Sequence, residues 1–262
     1  MRQAQGNPPI KVQPVTVHAP RAGEVQGRKL AISHRTALFR QDVYLAAVLG
    51  LAVERVPDPR NFALASVACS NFAEGDSLLA LYNEMVPDGT ATITGIDASR
   101  SAIKAARGGR YKLHRASWFD TKGQSYEERF LRSKGFTTSY EPNDRQPHRG
   151  AIVADAASVR RGHIVRLIEH DAAATLPVAG EVDLACGNNL LYHLDPDKAM
   201  RIACNMGSIL SDRGVLSFGT NITLSNGTRE SIDGELRDRF DLEPVLPDIG
   251  PDAEHVMVYA RP

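Results

Sequence analysis

The chain has 262 residues, 42% of them hydrophobic and 24% charged, and its acidic and basic side chains balance to a formal net charge of zero. That composition belongs to a globular protein with a core large enough for one domain and a small appendage; it excludes a disordered chain and argues against a dedicated nucleic-acid binder. No run approaches 18 apolar residues and the N-terminus lacks the apolar stretch of a secretory signal, so no membrane contact and a cytoplasmic setting are expected. In that setting Cys69, Cys186 and Cys204, which show no metal-ligand spacing, are read as buried reduced thiols. The glycosylation patterns at Asn221 and Asn226 are read as chance matches.

Residues 1–30 carry prolines and a basic excess without a hydrophobic period, and are read as a flexible basic arm preceding a domain over 31–262. In the periodic stretch that follows, Leu38, Val43, Ala46, Ala47 and Leu51 fit one helical face. Strands and helices then alternate. Residues 62–68 read as a buried strand, and 74–85 as a helix with Leu78, Leu81, Tyr82 and Met85 on one side. "TATITGID" reads as a second strand, and Ser99 can cap a helix carrying Ala102, Ile103 and Ala106. Residues 112–163 break the rhythm and hold no long apolar period, which reads as an insertion facing substrate. Strands are expected at 164–169 and 181–186. Asp195-Pro196 opens a helix that buries Ala199, Ile202, Ala203, Met206, Ile209 and Leu210. After Gly214, "VLSFGT" reads as a strand, and "FDLEPVL" and "HVMVYA" as a closing hairpin. The class is α/β, with a mostly parallel sheet, helices on both faces and an antiparallel C-terminal hairpin.

Charge is spread unevenly. Residues 1–40 carry seven Lys and Arg against one acid, 101–166 fourteen against six, and 167–262 seven against sixteen. A solvated mixed surface accounts for this, and so does a basic wall facing an acidic substrate or partner.

Ligands in open α/β sheets bind beyond the carboxyl ends of the strands. "ACSNFAEG", "GIDAS" and "CGNNLLYHL" fall there. The first lacks the glycines through which a backbone ordinarily approaches a nucleotide-type cofactor; its first glycine is Gly75. Asp97 can accept two hydrogen bonds from a ribose diol or cap the next helix, a task Ser99 can take instead. Glu74 can pair with a cationic amine or simply favour the helix dipole.

Together these segments resemble CheR-type chemotaxis-receptor methyltransferases. "SVACSNFAEGDSLLAL" is similar, without a gap, to S-A-A-A-S-T-G-E-E-P-Y-S, and "GIDASRSAIKAARGGRY" to the family's second motif. "VDLACGNNLLYHLD" resembles F-D-x-I-x-C-R-N-V-x-I-Y-F-D, "LSDRGVLSFG" resembles L-x-P-G-G-x-L-x-L-G, and "HRTALFR" resembles N-L-T-A-F-F-R. The resemblance spans about residues 33–220 and implies a Rossmann-like class I methyltransferase fold, a seven-stranded sheet and S-adenosylmethionine (SAM) as cofactor. It implies that Thr36 and Arg40 lie near the methionine carboxylate, Glu74 at its amine and Asp97 on the ribose. Asp171 and Ala172 would flank the adenine, Asn188 and Asn189 would line the pocket floor, and His34 and Ala68 would also touch the cofactor. The chain departs from the motifs at Phe72 for Gly, Ala73 for Glu, His34 for Asn, Asn188 for Arg and His193 for Tyr. The family's N-terminal helical domain has no room before Ala31.

The expected reaction is methyl transfer to an oxygen of a carboxylate or other acidic acceptor, on a small molecule or a protein. Two alternatives stand beside it. One is a small-molecule O- or N-methyltransferase with His193 as base and Tyr192 beside it. The other is a SAM-binding regulatory protein without catalysis.

Overall fold

The computed structural model of the chain describes residues 38–39, 42–114, 126–142, 150–188, 190–191, 194–220, 226–245 and 256–262. The N-terminal arm, His34, Thr36, Arg40, Asn189, Tyr192 and His193 lie outside the described residues. Helix α1 (Asp42–Arg55) precedes strand β1 (Asn61–Val67), α2 (Ala73–Met85), β2 (Thr90–Asp97) and α3 (Arg100–Gly108). After the segment 109–163 come β6 (Ile164–Glu169), β7 (Val182–Cys186), α6 (Pro196–Gly207), β8 (Leu210–Thr220), α7 (Asn226–Phe240), β9 (Glu243–Pro244) and β10 (Val256–Ala260). The main sheet runs β6-β2-β1-β7-β8-β10-β9. Its first five strands are parallel, and β10 pairs antiparallel with both β8 and β9. This is the class I methyltransferase arrangement, with strand order reversing at β1.

The period-two alternation of the strands divides the core between the two faces of the sheet. Leu64, Leu184, Cys186, Val215 and Val258 face the layer of α1, α2 and α3. Ala65, Ala185, Leu216, Phe218 and Tyr259 face the layer of α6 and α7. Two helices start as the sequence leads one to expect. Ser99 Oγ accepts the Ala102 N–H at 3.3 Å, and Asp195 Oδ1 accepts the Lys198 N–H at 2.8 Å with Pro196 in the first turn.

Three features differ from expectation. Helix α1 turns Leu45, Val48, Leu49, Ala52 and Val53 inward while Val43 is 40% exposed, because the helix lies against β8, β7 and α2 at once. Its buried stripe is therefore rotated from the face containing Val43 and Leu51. Helix α7 was not foreseen; it buries Ile232 and Leu236 completely. The insertion also carries a sheet of its own. Strands β3 (Arg110–His114), β5 (Ala151–Asp155) and β4 (Thr137–Glu141) pair antiparallel in that order, with α4 (Tyr126–Ser133) before β4 and α5 (Ala157–Arg160) after β5. Among the described residues no helix is long and apolar enough to cross a membrane.

Candidate functional site

The carboxyl ends of β2, β1 and β7 open on one edge of the main sheet, and the turn from β1 into α2 is its floor. Ala68 (φ 54°), Ser70 (φ 49°) and Phe72 (φ 66°) all have left-handed backbones. Each costs a residue with a Cβ about 1–2 kcal/mol relative to ordinary conformations. Three left-handed residues at alternate positions give the backbone path that glycines would allow freely, so the loop takes a glycine-type course without glycine. Phe72 shows how the course is held. Its ring is fully buried beneath the loop, in space left by two real glycines. A Cβ on Gly95 would stand 2.7 Å from the ring, and one on Gly75 closer still.

Four of the loop's amides are already committed. Cys69 N–H donates to Ile96 O at 2.9 Å, Phe72 N–H to Cys69 O at 2.7 Å, Ala73 N–H to Asn71 Oδ1 at 3.2 Å and Ser70 N–H to Asp97 Oδ2 at 2.8 Å. A phosphate cradle needs free amides. This loop instead offers a shaped surface, which fits a nucleoside cofactor without phosphate.

Asp97 ends β2 and joins the loops. One carboxylate oxygen takes the Ser70 N–H and the other takes the Ser99 N–H at 2.8 Å. Each oxygen has a further lone pair, as a diol would require. Glu74 sits half-buried in the first turn of α2. Its charge reaches the Cys69 and Cys186 thiols and the Tyr44 hydroxyl. At the end of β6, the His170 N–H donates to Asp97 O at 2.9 Å. Asp171 is exposed; its Oδ1 accepts the Ala173 N–H at 3.0 Å and its other oxygen lies 3.5 Å from Lys198 Nζ. Ala172 points its methyl into the core, and its carbonyl accepts from Asn205 Nδ2 at 2.9 Å. The structure thus brings Ala68, Glu74, Asp97, Asp171, Ala172 and Asn188 to one edge of the sheet.

Sequence reasoning missed two groups here. Asp76, fully buried in α2, holds Arg160 of α5 by two hydrogen bonds at 2.7 and 2.8 Å and accepts from the Tyr111 hydroxyl. Burial pushes its carboxyl up while the guanidinium pulls it down. Arg160 also lies over the Phe72 ring, 5.3 Å from its centroid, so the insertion is bolted to the cofactor loop. The second group starts from Tyr44 of α1, whose hydroxyl accepts the Gly219 N–H at 3.0 Å and bonds to Ser217 Oγ. Ser217 Oγ in turn reaches Asn188 Oδ1 at 3.1 Å, and Asn188 Nδ2 is buried without a partner among the described residues. In both cases the partners lie far apart in sequence, which hid them. Upstream, the Phe39 N–H donates to Ser77 Oγ at 2.8 Å, and the Phe39 ring meets Phe130 of α4 edge-on at 5.0 Å.

A family model described as the CheR methyltransferase SAM-binding domain matches residues 34–235. Solved structures similar to the chain include magnesium protoporphyrin IX methyltransferase from Synechocystis PCC 6803 with bound SAM, at 12% identity over 92% of each chain and a TM-score of 0.46. The N-methyltransferase NodS from Bradyrhizobium japonicum WM9, in complex with S-adenosyl-L-homocysteine (SAH), is 16% identical over 92% of this chain and 96% of its own, with a TM-score of 0.45. An O-methyltransferase family protein from Burkholderia thailandensis is 12% identical over 85% of this chain and 56% of its own, with a TM-score of 0.47. No curated protein matches the chain.

Proposed function

The chain belongs to the CheR methyltransferase family and is a SAM-dependent methyltransferase, and from that premise we propose that its acceptor is an oxygen of an ionised carboxylate. The supporting observation is the protonation of the described groups at the sheet edge. Burial, with Asp97 and Glu74 adding to it, pushes the Cys69 thiol up to about 12. Burial likewise raises the Cys186 thiol and the Tyr44 hydroxyl well above their ordinary values. All three keep their protons at neutral pH, the Asp97 carboxylate is taken by the Ser70 and Ser99 amides, and in this reading Glu74 serves the methionine amine, so none of these groups is left to act as a base on the acceptor. A hydroxyl or ammonium acceptor must lose a proton before it attacks, whereas a carboxylate is ionised at pH 7 and needs no base.

Bound SAM supplies a methyl group already activated by its sulfonium centre. The chain's task is then mainly to position donor and acceptor. Asp97 takes the ribose diol on its remaining lone pairs, and Glu74 faces the methionine amine. The Asp171–Ala172 turn lies against the adenine. Residues 31–262 act as one methyltransferase domain, with the insertion on the acceptor side. Much of the insertion's described basic charge is neutralised within the protein, Arg132 by Glu128, Lys134 by Glu84 and Arg160 by Asp76.

The test is the chemistry of the product. Purified protein is incubated with methyl-labelled SAM and a cell lysate, and the labelled fraction is then treated with mild alkali. A carboxyl methyl ester releases its label as methanol. An ether or a methylamine keeps it, and that outcome would overturn the carboxylate assignment and turn attention to His193 as base.

A further inference from the structure

The network from Tyr44 to Asn188 has a direction, and the direction determines what the site can recognise. A backbone N–H can only donate, so the Gly219 amide makes the Tyr44 oxygen an acceptor. The Tyr44 proton then has one recorded partner, Ser217 Oγ. Ser217 in turn spends its own proton on Asn188 Oδ1 at 3.1 Å. The opposite order would leave both the Tyr44 hydroxyl proton and the Asn188 carbonyl unpaired in a buried region, and each such orphan is costly. The amide of Asn188 is thereby turned so that its carbonyl faces inward and its NH2 is left over. That nitrogen is buried and has no partner among the described residues.

Gly219 makes the arrangement possible. Its backbone is left-handed (φ 72°), and a Cβ there would stand 2.9 Å from Asn188 Oδ1. The side chain at 188 also follows directly from the carboxyl end of β7, where Gly187 N–H is fixed to Ser217 O at 2.8 Å.

We propose that Asn188 is the specificity-determining residue for the methyl acceptor, donating its free amide N–H to an acceptor oxygen, and that Tyr44 and Ser217 are positioning residues that fix the direction of that donation. The site therefore takes a carboxylate or carbonyl oxygen and refuses an ammonium, whose protons would meet the amide's own. Water does not reach the nitrogen in the chain alone, so the incoming oxygen displaces part of its cover and ends in a dry position. This inference rests on the carboxylate reading for its substrate class, while the donor itself would serve any acceptor oxygen.

The experiment measures binding of butyrate, butyramide and butylamine to the full chain saturated with SAH, by ligand-observed NMR. The wild type is expected to bind butyrate and to ignore butylamine. Asn188→Leu and Asn188→Asp should each weaken butyrate about tenfold, the loss of roughly one hydrogen bond to a charged group, with SAH affinity changed less than twofold. Tyr44→Phe should keep SAH affinity but erode the preference for butyrate over butylamine, because the Asn188 amide is then free to turn over. A purely structural Tyr44 would not move that ratio. If Asn188→Leu weakens SAH and spares butyrate, the donor serves the cofactor and the proposal falls. It falls equally if Tyr44→Phe leaves the preference intact, or if the wild type binds none of the three probes. Binding of butyramide without butyrate, still dependent on Asn188, would uphold the donor and overturn the carboxylate reading alone.

Discussion

Asp97 holds the Ser70 and Ser99 amides on one carboxylate, and in the proposed function its remaining lone pairs take the ribose diol. Each charge-assisted hydrogen bond lost is worth roughly 1.5–3 kcal/mol, so Asp97→Ala should weaken SAM binding by one to two orders of magnitude or more. Calorimetry on the folded variant checks this; an unchanged Kd would remove Asp97 from the ribose. Cys69 gives a second residue-scale prediction. With its thiol pushed up to about 12, its thiolate fraction at pH 8 is roughly a thousandfold below that of a free cysteine, and alkylation by iodoacetamide should be slower in proportion. Alkylation at a model-peptide rate would mean that the thiol is open to solvent. The capping role of Ser99 was legible because it is written between the end of a strand and the start of a helix, three residues before the amide it accepts. The direction of the Asn188 amide was not, since it depends on a tyrosine more than a hundred residues earlier in the chain.

Among elements, the turn from β1 to α2 shows two opposing effects at Phe72. Glycine there would relieve a left-handed backbone worth about 1–2 kcal/mol but would empty a fully buried ring site, which ordinarily costs about 3–5 kcal/mol. Burial wins, and Phe72→Gly should lose about 1–4 kcal/mol in urea denaturation; a more stable variant would show that the ring is not what holds the loop. The Asp76–Arg160 pair makes a sharper case. Arg160→Ala leaves a buried carboxylate with only Tyr111 and should cost about 3–5 kcal/mol, whereas Asp76→Leu with Arg160→Met together should cost distinctly less. Equal losses in the two variants would mean that the charge is not the issue. Elements with a long apolar period, α2, β2 and α6, were readable from spacing alone. Helix α7 hides because its apolar positions, Ile232, Leu236 and Phe240, are few and set in a charged stretch. The strands of the insertion hide because β4 is largely exposed and pairs only with β5, so it shows no clean alternation.

For the whole molecule, the sheet order and the family motifs agree because the motifs sit where strands end, and strand ends are set by topology. The charge count was legible too, but not its pairing, which is three-dimensional. SAH is the product a SAM-dependent methyltransferase releases, so at one hundred times its Kd it should stabilise by about 2.7 kcal/mol, a rise of about 5–10 °C in Tm for a chain of this size. No shift would contradict binding. Alkali should act in the opposite sense. An unfolded cysteine loses its proton near about 8.5 and folded Cys69 only near about 12, so the folded state binds more protons between those values. Stability is then full below the lower value and falls as pH rises through the window, which thermal melts from pH 7 to 11 would show. Turnover adds a kinetic consequence to the cofactor loop. With four of its amides committed and Phe72 seated in the core, that loop cannot swing aside to release product without opening the core itself. The Phe39 amide on the facing segment is held to α2 through the Ser77 hydroxyl. Ser77→Ala should therefore speed SAH dissociation in stopped-flow, and a rate no faster than wild type would place the exit elsewhere.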